Sequence, residues 1–117
     1  MQSKISNDLG EISVENEVIA RIAGLAAMEC YGVVGMAAKS LRDGLVHLLK
    51  IESLSKGVNI ETSEDGELTI NLHIIVEYGT NLTAIAQSLK ENVRYKVEDC
   101  VGIPVSEVNI FIDGLRA

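Results

Sequence analysis

His47 and His73 are the only imidazoles in the chain, and neither sits where a nucleophile would need it. Nucleophilic catalysis asks for Ser, Cys or Thr beside a base, with an orienting group behind that base. No G-x-S-x-G elbow surrounds either histidine. His73 alternates with apolar residues and reads as a wet histidine on a sheet face. His47 follows Asp43 by four residues, a spacing that on a helix permits a surface hydrogen bond. Cys30 and Cys100 lie far apart, and with two distant histidines they give no paired zinc spacing. They read as small buried hydrophobes in a reducing compartment. Glu64, Asp65 and Glu67 crowd a turn without the regular ligand pattern of a calcium loop.

Phosphate-cradling signatures are missing as well: the chain has neither G-x-G-x-x-G nor G-x-x-x-x-G-K-[ST]. The run G-V-V-G at Gly32 to Gly35 holds Val33 and Val34 in a strand context. An RNA-clamping loop of that form needs exposed, usually basic residues between two helices. We therefore expect no catalytic residue, no metal ligand and no cofactor. A protein of this kind acts through shape and surface.

The elements that would shape that surface are well marked. Gly10 to Val14 reads as a short strand, after a polar N-terminus (about residues 1–9) expected to be mobile. Val18, Ile19, Ile22, Ala23, Ala26 and Cys30 recur at helical spacing over Asn16 to Cys30. Ser13 or Asn16 would cap that helix, and Glu15 and Glu17 suit its positive end. Its small residues Ala20, Gly24 and Ala27 would allow close approach, either of its own sheet or of a second copy. Tyr31 to Ala37 reads as a buried strand interrupted by glycines. Asp43 to Lys50 reads as a short helix with Leu45, Leu48 and Leu49 inward. It lies in the only locally basic stretch, Lys39 to Lys56, which reads as a solvated helix with its leucines on the core.

Gly57 to Thr62 and Glu67 to Tyr78 form a hairpin around Asp65-Gly66. In the second strand Leu68, Ile70, Leu72, Ile74 and Val76 alternate with Thr69, Asn71, His73, Ile75 and Glu77. The second long helix starts at Thr80 or Asn81 and keeps Leu82, Ile85, Ala86, Leu89, Val93, Val97 and Cys100 on one face. Gly102 and Pro104 end it. Val105 to Asp113 closes as a strand with Val108, Ile110 and Ile112 inward. The expected fold is α+β: a small mixed or antiparallel sheet with two long helices on one face, in the order β-α-β-(short α)-β-β-α-β. One domain spans 1–117. The other sheet face would carry Asn71, His73, Ile75 and Phe111, a half-apolar candidate binding surface.

Composition fits a soluble contact protein. Aliphatics dominate a hydrophobic fraction of 47%, with one Phe, three Tyr and no Trp, so Val, Ile, Leu and Ala must build the core. A chain of 117 residues can bury roughly two thirds of its unfolded surface without metal or disulfide. The net charge of −7 repels nucleic acid, whose affinity comes largely from Lys and Arg neutralising phosphates. No secretory signal and no span of ~20 apolar residues is expected.

Several segments, taken together, carry a resemblance. They are G-E-I-S-V-E-N-E-V-I-A-R-I-A at Gly10 to Ala23, Y-G-V-V-G-M at Tyr31 to Met36, K-G-V at Lys56 to Val58, I-V-E-Y-G at Ile75 to Gly79, and V-N-I-F-I-D-G at Val108 to Gly114. In order and spacing the set resembles the alkaline shock protein family of Gram-positive bacteria, often called envelope stress response proteins. The compact form resembles the member found beside a dihydroxyacetone-kinase-like or fatty-acid-kinase-like protein. The resemblance implies a cytoplasmic, non-enzymatic, homo-oligomerising protein, sometimes held at the membrane by an integral partner, with some members linked to fatty-acid synthesis. Gly32, Gly35, Tyr78 and Gly79 match the motif as backbone-shape and packing positions. The alternative function is a small-ligand module, for an acyl or phosphorylated metabolite serving the kinase-like neighbour.

Overall fold

The computed structural model of the chain describes residues 2–7, 10–39, 46–48 and 55–116, with side chains within 15–37 and 55–116. In chain order the elements are β1 (Gln2–Asn7), β2 (Gly10–Glu15), α1 (Asn16–Met28), β3 (Val33–Lys39), β4 (Val46–Leu48), β5 (Val58–Thr62), β6 (Leu68–Glu77), α2 (Leu82–Val101) and β7 (Val105–Arg116). This is an α+β fold, as the alternation of period-two and period-3.6 segments requires.

Strand β6 is the organiser. Its alternate residues Leu68, Ile70, Leu72, Ile74 and Val76 are all fully buried, while Thr69, Asn71, His73 and Ile75 are half-buried. Burying each such aliphatic contributes about 1.5–3 kcal/mol relative to exposure. β5 pairs antiparallel with its first half, from Val58↔Leu72 to Thr62↔Leu68, and β3 with its second half, from Val33↔Val76 to Met36↔Ile74. β7 runs parallel along the whole of β6, from Leu68↔Val105 to Glu77↔Arg116. A strand has two edges, so β7 fills one edge of β6 while β5 and β3 share the other end to end. The sheet is mixed.

Both helices cover the face that carries the β6 aliphatics. Ile19, Ala23 and Ala27 of α1 and Ile85, Leu89, Val93 and Val97 of α2 join Met36, Ile60, Val105 and Val108 in one core. Asn92 of α2 donates from its side-chain amide to the Ala26 carbonyl at 2.9 Å and to Cys30 Sγ at 3.6 Å, tying the end of α1 to α2. Cys30 is buried, as expected, but Cys100 is exposed, and both are free.

α2 begins where Asn81 Oδ1 accepts from the Ala84 amide at 3.1 Å and ends at Gly102, whose φ is 78°. Of the two expected caps, Asn81 is the one used. Removing it with Asn81→Ala is expected to lower unfolding free energy by about 1 kcal/mol, read as a lower urea midpoint at unchanged slope.

Three expectations are corrected. The short helix expected over Asp43 to Lys50 is not formed at Val46–Leu48, which is strand β4, paired antiparallel with Ala37–Lys39. A short apolar run fits both periods, and pairing with the overhanging end of β3 decides it. The rest of that segment lies outside the described residues. The polar N-terminus contains strand β1, in register with β2 from Gln2↔Glu15 to Asn7↔Gly10 as a separate two-stranded sheet. The N-cap of α1 is Glu15, in extended conformation and without a side-chain cap bond, in place of Ser13 or Asn16.

Candidate functional site

The face of the sheet that no described helix covers is built from the odd-numbered residues of β5 and β6 and their neighbours on β7. Register places Asn59, Asn71 and Asn109 in one row across β5, β6 and β7. Asn109 donates from Nδ2 to Asn71 Oδ1 at 2.9 Å. The next row brings His73 opposite Phe111, whose rings stack with centroids 4.8 Å apart and planes 13° from parallel.

A bulge then re-aims the chain. Ile112 pairs with Ile74 and Gly114 with Ile75, so Asp113 is the extra residue on β7. Bulges of this kind bend a strand and redirect a side chain. Asp113 Oδ2 lies 3.0 Å from His73 Nδ1, with the carboxylate side chain largely covered. An ionised carboxylate only accepts, so Nδ1 carries the proton and Nε2 is the uncommitted ring nitrogen.

Beside this pair lies a groove of about 410 Å³, lined by Ala37, Lys56, Gly57, Val58, Asn59, His73, Phe111 and Asp113. The volume is within the range that holds small molecules. The lining offers a base with its orienting carboxylate, a cation, an amide and an aromatic face. It offers no hydroxyl and no thiol among the described residues, so the pair has no nucleophile to activate there. The arrangement suits binding. His73 was legible from sequence as a sheet-face residue; its partner was not, because forty positions and a bulge separate the two.

The sequence-derived surface residues divide into two groups. Asn71, His73 and Ile75 are half-buried and Phe111 is exposed, all on the uncovered face. Ala20, Gly24 and Ala27 are buried within the chain's own core, so this stripe packs inward. On α1 the exposed apolar residues are instead Val18 and Leu25. His47 sits on β4 opposite Ala38, in a strand, so the helical spacing to Asp43 does not apply. Among the described residues no helix is long and apolar enough to cross a membrane.

Comparison with known proteins supplies the family context. Residues 4–117 match the ASP23 family, described as having a cell envelope-related function. The chain is 40% identical over 117 residues to uncharacterized protein YloU of Bacillus subtilis (strain 168), covering 99% of this chain and 97% of that one. It is 32% identical over 108 residues to uncharacterized protein YqhY of the same organism, covering 92% of this chain and 78% of that one. A stress response regulator gls24 homolog of Streptococcus pyogenes serotype M3 is 31% identical over 110 residues, covering 92% of this chain but 59% of the relative. No solved structure gives a significant match.

Proposed function

This chain belongs to the ASP23 family of cell envelope-related proteins, and from that premise we propose that it is a non-enzymatic contact protein. In this reading it is a homo-oligomerising scaffold or regulatory partner in envelope stress and lipid homeostasis. It works in the cytoplasm, held at the membrane through a partner protein.

One observation carries the reading: the outer edge of β7. Among the described residues no strand lies beyond this twelve-residue strand. An open edge is a template for another strand, and proteins that must stay apart blunt such edges with Lys, Pro or short length. β7 contains neither Lys nor Pro. Glu107 stands near one end and Arg116 at the other, so antiparallel pairing of two copies brings opposite charges together. Phe111, on the same strand, is 46% exposed and adds apolar surface beside the edge.

The test is light scattering after size exclusion. Wild-type protein is expected to self-associate at micromolar concentration, and Phe111→Lys to weaken that association about tenfold or more by removing apolar area and adding an edge charge. A wild-type protein that is strictly monomeric at tens of micromolar defeats the scaffold reading. A second reading, a small-ligand module for a kinase-like neighbour, is favoured by the groove beside His73.

A further inference from the structure

Three polar side chains with no described hydrogen-bond partner for their free atoms converge on one groove. Among the described residues Lys56 has no carboxylate partner, Asn59 has no bonded amide partner, and His73 keeps Nε2 uncommitted while Nδ1 is held by Asp113. The first two donate outright, an ammonium offering three N–H groups and a carboxamide two, and His73 adds a donor at Nε2 in its protonated form. The one carboxylate in the lining is already occupied with His73. Donors therefore outnumber free acceptors at this spot, on a chain whose net charge is −7.

The backbone fixes this geometry. A Cβ at Gly57 would lie 2.9 Å from Met36 Cβ and 3.0 Å from the Ala37 carbonyl oxygen, so only glycine lets the chain press this closely on β3. That close approach holds Lys56 and Asn59 at the groove on either side of a buried residue. The stacked Phe111 ring fixes the His73 plane, and the Asp113 carboxylate holds Nδ1. Phe111 supplies an apolar face next to the donors.

We propose that this groove is a binding site for a small organic oxyanion, a carboxylate or phosphate bearing a short apolar body. The oxyanion takes hydrogen bonds from Lys56, Asn59 and His73, and the apolar body lies against Phe111. The assignment rests on the ligand-module reading of the groove and is independent of self-association. Titration and light scattering can therefore fail separately.

The experiment is a heteronuclear NMR titration of the intact chain with inorganic phosphate and, separately, with butyrate, at constant ionic strength. Saturable shifts are expected at Lys56 to Asn59, the His73 ring nitrogens and Phe111 to Asp113, with a dissociation constant of about 1 mM or tighter for at least one anion. Each of Lys56→Met and His73→Gln should weaken that binding about tenfold, as loss of a charge-assisted hydrogen bond does. Arg21→Gln, a change at an exposed helix position, should leave it unaltered. Saturation by phosphate alone assigns a phosphate ligand, and saturation by butyrate alone a carboxylate. Linear shifts to about 20 mM, far above any working affinity, overturn the proposal. So do shifts shared with Lys90, Arg94 and Arg116, or binding unchanged in both groove variants with native-like spectra.

Discussion

Leu72→Ala is expected to lower the unfolding free energy by about 3 kcal/mol, within the range for a buried leucine that leaves a cavity. Leu72 is fully buried at the centre of β6. Its in-register neighbours are Val58 on β5 and Ile110 on β7, and both are pinned by ladders to β6 itself. The site therefore has little freedom to collapse, which keeps the cost off the bottom of that range. For a domain of this size the melting temperature should fall by roughly 10 °C. Chemical denaturation with a matched slope measures it, and a loss below about 1 kcal/mol would mean that the sheet relaxes around the gap.

The second large effect belongs to Gly32, in the turn between α1 and β3. Its φ is 88°, in the left-handed region, where a side chain costs about 1–2 kcal/mol. An added Cβ would also come within 2.5 Å of Ile85 Cδ1 and 3.2 Å of Ile85 Cγ1. Ile85 is buried in the core, so its side chain must leave a packed rotamer to make room. Gly32→Ala should cost about 2–3 kcal/mol in total. Gly79 provides the internal control: its φ is 90°, but nothing lies within 4 Å of a Cβ placed there. Gly79→Ala should show the backbone cost alone. Equal losses for the two variants would remove the Ile85 contact from the explanation.

Local signals in this sequence are legible where one period runs long enough to be unambiguous. The ten-residue alternation of β6 and the five-turn stripe of α2, with Asn81 before it and Gly102 after it, settle two elements without any tertiary knowledge. The inward set Val108, Ile110 and Ile112 on β7, and the outward Phe111, follow from the same alternation, whereas Val105 is buried through a register shift at Ser106 that no period reveals. Val46–Leu48 is different. Three residues cannot distinguish a helix from a strand, and the outcome depends on β3 overhanging β6 by Ala37 to Lys39. The α1 small residues are legible as close-packing positions, but sequence leaves open whether the neighbour is the chain's own sheet or another copy. The structure turns Ala20, Gly24 and Ala27 inward.

The candidate site was legible only in part. Alternation places Asn71, His73 and Ile75 on one face, and neighbouring strands add Phe111. Alternation also directs Asp113 to that side, but contact with His73 depends on an extra residue in β7 that no period reveals. Lys56 and Asn59 enter the groove because β5 and β3 share one edge of β6 end to end, a topology that composition and spacing do not encode. Long-range register is the missing information in each case.

The parallel union of β6 with β7 has a consequence for biosynthesis. β7 follows β6 only after the whole of α2 has been made, so a growing chain on the ribosome carries an apolar, half-zipped sheet while those residues emerge. Its fully buried aliphatics have only α1 to cover them until α2 docks, and its free rim has no closing strand until Val105–Arg116 arrives. Such a nascent intermediate is a natural client for chaperones and is prone to cross-pairing with neighbouring chains on the same polysome.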